Sequence, residues 1–220
     1  MLIKPDIPLG NPDAEKQSGK DLSDRDAIQI IEEYLKDIDY PSKSEKQFIL
    51  CSVGLIATGK TTVLKALSEK IGLVRVRTDD LRWILEKRGY NVRRTAEIAY
   101  NIVMKLLKAG YSVAIDADSV AKNTQASLKN IGEEQGIPVI WIRTSVSEEI
   151  ILDRLNINNT DREYKGPEAV SRYYERKKLH EGLDIPFIYE FDTSKIEKLE
   201  PQVLAAVKKI QEFLISWNTK

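Results

Sequence analysis

The chain has almost no cysteine or histidine with which to build a redox centre or a zinc-type metal site. Its 220 residues include one cysteine, Cys51, and one histidine, His180. A single cysteine excludes a disulfide within the chain, and a single histidine argues against a multi-histidine metal site or a triad with a histidine base. Cys51 lies in an apolar run, where we expect it to be a buried small hydrophobic residue. We expect His180 to lie on the surface of a helix.

An excess of charge of either sign is also missing. Lysine plus arginine and aspartate plus glutamate number 34 each, so the formal net charge is zero. This removes bulk attraction to nucleic acid as the default interpretation, although a local basic site remains open. No apolar run approaches membrane-spanning length, and the first residues lack the apolar core of a signal peptide. We therefore expect a soluble cytoplasmic protein with no membrane partner.

The chain does contain an alternation of short apolar strands and helices. Hydrophobic residues make up 42% of the sequence, enough for a packed core. Strands that alternate with helices predict an α/β fold with a parallel sheet and helices on both faces. We expect a domain over 45–220, preceded by a tail and an appended helix over 1–44. The apolar runs typical of strands are 48–53, 73–78, 111–116, 138–143 and 186–192.

One short stretch predicts a phosphate-binding loop. The string GLIATGKTT follows the first predicted strand, opens the next helix and fits the pattern G-x-x-x-x-G-K-[ST]. Its glycines permit close backbone approach, and amides at a helix N-terminus bind phosphate. We expect Lys60 to bind the β- and γ-phosphates and Thr61 to ligate Mg²⁺. The alternative is a strand–turn–helix corner that matches by chance. The predicted nucleotide-binding residues are Gly54, Leu55, Ile56, Ala57, Thr58, Gly59, Lys60, Thr61 and Thr62.

Acidic residues follow two later strands. Asp79 comes after the second predicted strand and Asp116 ends the third, so both belong at the sheet edge where ligands bind. Asp79 could accept or orient the proton of an attacking hydroxyl, with Arg82 holding the acceptor or the γ-phosphate. Alternatively, Asp79 or Asp80 caps the helix that follows. Asp116 is predicted to hold Mg²⁺ through water, or else is a turn residue. Asp118, two residues further on, is not among the residues predicted to hold Mg²⁺.

A polar segment after the fourth strand predicts a flap over about 156–180. Arg154 lies on the helix before it, and Arg162 lies within it. Flap arginines can close over phosphates and stabilise charge in the transition state; the alternative is a surface arginine that pairs with nearby acids. We expect the helix to begin at Ser145, which has capping-box spacing to Glu148.

Taken together, these motifs resemble a known group of small kinases. The GLIATGKTT loop, the D-x-L-R motif at Asp79 to Arg82, the strand ending in Asp116 and the S-x-x-E…R-L pattern around Arg154 are similar to the zeta-toxin and polynucleotide-kinase-like P-loop kinases, also described as AAA-family ATPases. The likeness runs from about Phe48 to the end of the chain. It implies a P-loop NTPase three-layer α/β/α sandwich, with a five-stranded parallel sheet in order 2-3-1-4-5 and a helical flap.

The resemblance also implies roles for individual residues. The acid that matches Asp79 is the base that activates the acceptor hydroxyl, the arginine that matches Arg82 contacts the acceptor or the transferred phosphate, and the one that matches Arg154 clamps the donor phosphates. Many members carry a second flap arginine about one helical turn after the first. Asn158 occupies that position here, so either Arg162 substitutes from a longer flap or the second clamp is missing.

We therefore predict an ATP-dependent phosphotransferase that moves the γ-phosphate to a hydroxyl of a small molecule or a nucleic acid end, with ATP and Mg²⁺ as cofactors. Two alternatives remain open. One is an NTPase switch that acts through a protein partner and docks by its N-terminal helix. The other is a non-catalytic nucleotide-binding module, which the altered flap would suit. Aromatic and basic residues near Trp83 would fit a nucleotide acceptor, although we expect Trp83 to pack in the core.

Overall fold

A parallel sheet organises the chain. The computed structural model describes residues 2–3, 19–156 and 166–217. All neighbouring strands pair in parallel, and their order across the sheet, numbered along the chain, is 2-3-1-4-5. The predicted α/β class and the order 2-3-1-4-5 are confirmed. The strands are β1 (Ile49–Val53), β2 (Val74–Arg77), β3 (Val113–Asp116), β4 (Val139–Ser145) and β5 (Phe187–Asp192).

Helices form a layer on each face of the sheet. They are α1 (Asp24–Lys36), α2 (Lys60–Ile71), α3 (Thr78–Lys87), α4 (Thr95–Lys108), α5 (Lys122–Gln135), α6 (Glu148–Asn156), α7 (Gly166–Leu179) and α8 (Leu199–Trp217), with a 3₁₀ turn at Ile196–Lys198. Apolar residues of α1, α3, α4 and α5 pack on one face, and those of α2 and α8 pack on the other. Helices α6 and α7 form a smaller cluster beside the turn between β1 and α2. Within the described ranges, none of the helices combines the length and apolar character that crossing a membrane requires.

Strand β1 lies between the two layers, which explains its continuous apolar run. Ile49 and Cys51 pack with α3 and α4, whereas Phe48 and Leu50 pack with α2 and α8. Successive side chains of a strand point to opposite faces, so a strand covered on both faces is apolar at nearly every position. The exception is Ser52, which is buried and forms a hydrogen bond through its hydroxyl. Cys51 is fully buried, as predicted, and burial raises the pKa of its thiol.

The first helix contributes to the main core. Ala27, Ile30 and Ile31 on α1 are buried in the same apolar cluster as α3 and α4. Residues from the predicted N-terminal segment therefore help to cover one face of the sheet. The division of the chain at residues 44 and 45 stays a prediction.

Strand β4 is longer than the sequence predicts. Ser145 pairs with Asp192 at the end of β5, and its carbonyl oxygen accepts a hydrogen bond from the Thr193 amide at 3.0 Å. Helix α6 begins only at Glu148, so the predicted helix start and capping box at Ser145 are wrong. The partner strand β5 satisfies the backbone of Ser145, and local spacing alone does not reveal that partner.

Candidate active site

The predicted phosphate loop forms the turn between β1 and α2. Gly59, which precedes the first residue of α2, has a φ of 83°, in the left-handed region that glycine adopts readily. Ala57 has a φ of 63° and is the only non-glycine residue with positive φ in the described part of the chain. The left-handed region costs an L-residue about 1–2 kcal/mol, so the loop carries strain at Ala57.

Gly54 is required for close packing, because its position leaves no room for a Cβ atom. A Cβ added there would lie 2.2 Å from Thr144 Oγ1 and 2.6 Å from Thr58 Oγ1. These two hydroxyls share a hydrogen bond of 2.8 Å, and the Thr58 hydroxyl also lies 2.7 Å from the Leu55 carbonyl oxygen. The first glycine of the motif therefore lets the loop pack tightly against β4.

Lys60 lies against the loop that precedes it. Its Nζ donates hydrogen bonds to the carbonyl oxygens of Gly54 at 2.6 Å and Leu55 at 2.9 Å. Burial lowers the pKa of Lys60, and the charges of Asp118 and Asp116 only partly oppose this shift. The charges of the carboxylates at the end of β3 and just after it therefore act on the ammonium group.

The structure brings Thr61 and Asp116 together. The Thr61 hydroxyl donates to Asp116 Oδ1 at 3.1 Å, while Asp116 Oδ2 lies 3.3 Å from Arg75 Nη1 and 3.5 Å from Arg77 Nε. Burial raises the pKa of Asp116, and the two arginines counteract part of this effect. A hydroxyl beside a carboxylate suits Mg²⁺. The described residues contain no group of three or more His, Cys, Asp or Glu arranged to hold a metal ion.

The acids after β2 lie in the first turn of α3. This helix begins at Thr78, and its N-cap residue is Arg77, which makes no side-chain cap. The alternative that Asp79 or Asp80 caps the helix is therefore wrong. Asp80 instead accepts a hydrogen bond from Arg77 at 2.8 Å.

Asp79 lies at the rim of the site. Its Oδ1 accepts a hydrogen bond from Arg82 Nη1 at 2.6 Å, and its side chain is 56% exposed. The charge of Asp79 nevertheless acts on both Lys60 and Asp116. The predicted base is therefore within electrostatic reach of the phosphate loop.

Arg154 binds the backbone of the loop. Its Nη1 donates to the Ala57 carbonyl oxygen at 3.0 Å, and its Nη2 donates to the Thr193 carbonyl oxygen at 2.5 Å. The Thr193 hydroxyl in turn donates to the Thr58 carbonyl oxygen at 2.8 Å. Helix α6 and the residue after β5 therefore both hold the loop. Arg162, the other predicted flap arginine, lies outside the described residues.

Asp118 and His180 contact each other within electrostatic reach of Lys60. Asp118 Oδ2 is 3.0 Å from His180 Nε2, and the two side chains are 19% and 8% exposed. The predicted surface position of His180 is therefore wrong, because its side chain is buried against Asp118 although the residues on either side of it are exposed. Burial acts to raise the pKa of Asp118, but the hydrogen bond with His180 and the charge of Lys60 outweigh it and hold that pKa below its usual range.

Sequence reasoning missed several residues that shape the site. Arg75 and Arg77 on β2 bind Asp116, Thr144 on β4 supports the loop, and Thr193 follows β5. All lie on or just after parallel strands, toward the carboxyl edge of the sheet. The rule that ligands bind at this edge could have selected them as polar residues near strand ends.

Trp83 is exposed, so its predicted place in the core is wrong. Its side chain is 60% exposed, and Lys87 Nζ lies 4.5 Å from the centre of a ring. It borders a cleft of about 830 Å³ between α1, α2 and α3. The aromatic ring therefore lies on the outer side of α3.

Comparisons with known proteins agree with this architecture. A family model described as an AAA domain matches residues 49–177. None of the curated proteins compared with the chain matches it.

Solved structures with a similar fold include kinases. The APS kinase CysC of Mycobacterium tuberculosis, in complex with AMPPNP and APS, has a TM-score of 0.52 and 14% identity, over 76% of this chain and 99% of that one. A gluconokinase from Sinorhizobium meliloti 1021 has a TM-score of 0.53 and 12% identity, over 81% and 98%. A structure from the PezAT toxin–antitoxin system of Streptococcus pneumoniae has a TM-score of 0.53 and 16% identity, over 73% and 68%. At such identities, the likeness shows the shared fold.

Proposed function

The chain belongs to the AAA domain family, and on this premise we propose that it is a P-loop kinase. It transfers the γ-phosphate of ATP to a hydroxyl of a small molecule or a nucleic acid end. The observation that carries the proposal is the meeting of the phosphate loop with the end of β3, where the Thr61 hydroxyl lies 3.1 Å from Asp116 beside Lys60. This places a hydroxyl, a carboxylate and an ammonium group at the N-terminus of α2, where phosphates bind.

The loop and α2 bind the nucleotide phosphates. The unpaired amides at the start of α2 point toward the ligand, and the positive end of the helix dipole favours negative charge. Lys60 exchanges the carbonyl oxygens of Gly54 and Leu55 for oxygens of the β- and γ-phosphates. Arg154, already bound to the loop backbone, adds a second positive charge on the flap side.

Thr61 and Asp116 would hold Mg²⁺, the hydroxyl directly and the carboxylate through water. When bound, Mg²⁺ neutralises phosphate charge and aligns the γ-phosphate for transfer. Arg75 and Arg77 orient the Asp116 carboxylate and favour its ionised form.

In the transfer step, the acceptor hydroxyl oxygen attacks the γ-phosphorus. The bond between that phosphorus and the oxygen bridging to the β-phosphate breaks, and ADP leaves. Asp79 accepts the hydroxyl proton, and Arg82 holds Asp79 by their ion pair and neutralises charge on the transferred group.

A switch function receives less support from the structure. In the sequence-based alternative, the N-terminal helix docks to a protein partner. Its apolar residues Ala27, Ile30 and Ile31 are instead buried against α3 and α4 of the same chain. The apolar face of α1 is thus already buried in the core of its own chain and is not open to a partner, which favours the kinase proposal.

A labelled-transfer assay tests the function. The chain is incubated with [γ-³²P]ATP, Mg²⁺ and a panel of sugars, nucleosides, antibiotics and 5′-hydroxyl oligonucleotides, and labelled products are separated. We expect transfer to at least one acceptor. Asp79→Asn should bind ATP normally and lose about 10²–10⁴-fold in transfer rate, whereas Glu86→Gln, an exposed acid on the same helix, should behave as wild type.

Other results would support the alternatives. Phosphate release that rises only with a protein partner supports a switch, and ATP binding without any phosphate release supports a non-catalytic module. An unchanged transfer rate in Asp79→Asn rejects Asp79 as the base.

A further inference from the structure

The loop after β3 carries a second carboxylate, and hydrogen bonds tie this loop to the strand that leads into the phosphate loop. Asp118 lies two residues after Asp116, in a loop tied to the end of β1. The Ser119 amide donates to the Ser52 carbonyl oxygen at 3.2 Å, and the Ser52 hydroxyl donates to the Ala117 carbonyl oxygen at 3.2 Å. Because β1 leads directly into the phosphate loop, these bonds fix the backbone of Asp118 relative to that loop.

His180 reaches this carboxylate from a distant part of the chain. It follows the last turn of α7, and its Nε2 lies 3.0 Å from Asp118 Oδ2. Helix α7 is in turn held by an apolar cluster that includes side chains of the phosphate loop. The buried members are Ile151, Leu155, Ala169 and Tyr173, with Leu55, Ile56 and Ala57 packed against them.

The other oxygen of Asp118 has unused hydrogen-bonding capacity. Asp118 Oδ1 is buried without a hydrogen-bond partner among the described residues, and the same holds for Ser119 Oγ on the next residue. Buried polar atoms in folded proteins nearly always have a partner. An ionised carboxylate only accepts hydrogen bonds, so the partner that Oδ1 lacks is a donor. Lys60, the nearby ammonium, donates instead to Gly54 and Leu55.

This inference rests on the kinase function proposed above. We propose that Asp118 is an acceptor-binding residue, whose carboxylate accepts a hydrogen bond from a hydroxyl of an uncharged polyol such as a sugar. His180 is a positioning residue that holds the carboxylate in place. Asp79 keeps the separate role of accepting the proton of the reacting hydroxyl.

Charge selects the class of acceptor. A fixed negative charge at Asp118 repels an acceptor with a carboxylate, phosphate or sulfate close to its hydroxyls, whereas neutral hydroxyls donate to it. Besides His180, the charges of Lys60 and Arg176 act on Asp118, and Arg176 lies one helical turn before His180. Lys60 and Arg176 are the cations available to a ligand. We assign both to the phosphates of the nucleotide, with which their charge is complementary.

Pairs of acceptors that differ in charge test the proposed class of acceptor. Transfer from [γ-³²P]ATP with Mg²⁺ is measured for D-glucitol against D-gluconate, which differ by a carboxylate, and for adenosine against adenylyl sulfate. D-Ribose and myo-inositol extend the neutral set. We expect transfer to at least one neutral polyol, with kcat/KM at least about tenfold above that of its charged counterpart.

Variants of the full chain test the proposed roles of Asp118 and His180. Asp118→Asn should raise the KM for the neutral acceptor at least about tenfold and leave the Kd of ATP within about twofold. His180→Leu should act in the same direction, and His180→Gln, which keeps an amide donor, should recover part of the loss. Glu181→Gln removes an exposed carboxylate next to His180 and serves as the matched control.

The outcomes separate this inference from the kinase proposal. Transfer to charged acceptors only, or an unchanged acceptor KM in Asp118→Asn, overturns the inference and leaves the kinase intact. An Asp118→Asn variant that needs at least about tenfold more Mg²⁺ for ATP binding, with acceptor KM unchanged, also overturns it, because Asp118 would then hold the metal. Failure of the wild-type chain to bind ATP, or to transfer phosphate to any acceptor, overturns both.

Discussion

Replacing Gly54 with alanine tests how the phosphate loop is supported. The new Cβ would lie 2.2 Å from Thr144 Oγ1, 2.6 Å from Thr58 Oγ1 and 2.9 Å from the Thr144 carbonyl oxygen. Both threonines are buried, so relief of these contacts must separate their shared hydrogen bond of 2.8 Å. Overpacking costs about 1–3 kcal/mol and a lost hydrogen bond about 1 kcal/mol. We expect the free energy of unfolding to fall by about 2–4 kcal/mol.

Urea unfolding followed by circular dichroism measures this change, and a double-mutant cycle identifies its cause. Thr144→Ala removes the atom nearest to the added Cβ. The Gly54→Ala/Thr144→Ala variant should therefore be more stable than the sum of the single changes by at least about 1 kcal/mol. Gly59→Ala is the matched control, because its strain comes from a φ of 83° and its nearest contacts are with Thr193 at 3.3 Å. Thr144→Ala should not reduce the destabilisation that Gly59→Ala causes.

Two results would refute this reasoning. A Gly54→Ala variant within about 0.5 kcal/mol of wild type would mean that the loop relaxes freely away from β4. Additive effects in the cycle would mean that Thr144 is not the residue that the methyl group meets.

Further predictions concern four other residues. Arg154→Ala should lower the free energy of unfolding by about 1.5–3 kcal/mol in urea titrations, since it removes charged donors from two carbonyl oxygens of the loop region. Asp116→Asn should weaken ATP binding about tenfold in Mg²⁺ and leave it nearly unchanged in EDTA, as calorimetry can test. The pKa of Asp118 is held below its ordinary value of 3.8, so its contribution to stability is complete above that pH and is lost as the pH falls through the lowered pKa. The stability difference between wild type and Asp118→Asn should accordingly shrink in urea titrations below pH 3.8. Cys51 should react with a thiol reagent at least about 10³-fold more slowly in the native chain than in urea, because it is fully buried.

Local sequence patterns were enough to predict the central strand and the phosphate loop. The apolar run at 48–53 indicates a strand covered on both faces, and β1 lies between two helical layers. The spacing of the phosphate loop is likewise a local signal, because its glycines, Lys60 and Thr61 lie within one turn and the start of one helix. The order of the strands came from the resemblance to known kinases, since periodicity alone does not determine which strands are neighbours.

Local sequence patterns could not predict the contacts between segments that are distant in the chain. His180 and Asp118 are 62 positions apart, and their contact depends on how α7 packs beside the phosphate loop. The end of β4 at Ser145 depends in the same way on pairing with β5. Trp83 is a different case, because the residues three and four positions away from it are all charged, and helical spacing therefore places it on the polar outer side of α3, where it lies.

The supports of the phosphate loop have a consequence for the affinity of the nucleotide. Contacts from β4, from α6 and from the residue after β5 restrain the loop before any ligand arrives. A restrained loop has little conformational freedom left to lose on binding, so more of the interaction energy with the phosphates appears as affinity. Variants that cut the supports from Thr144 or Thr193 should therefore release nucleotide faster, even though they leave every proposed phosphate-contacting group in the sequence.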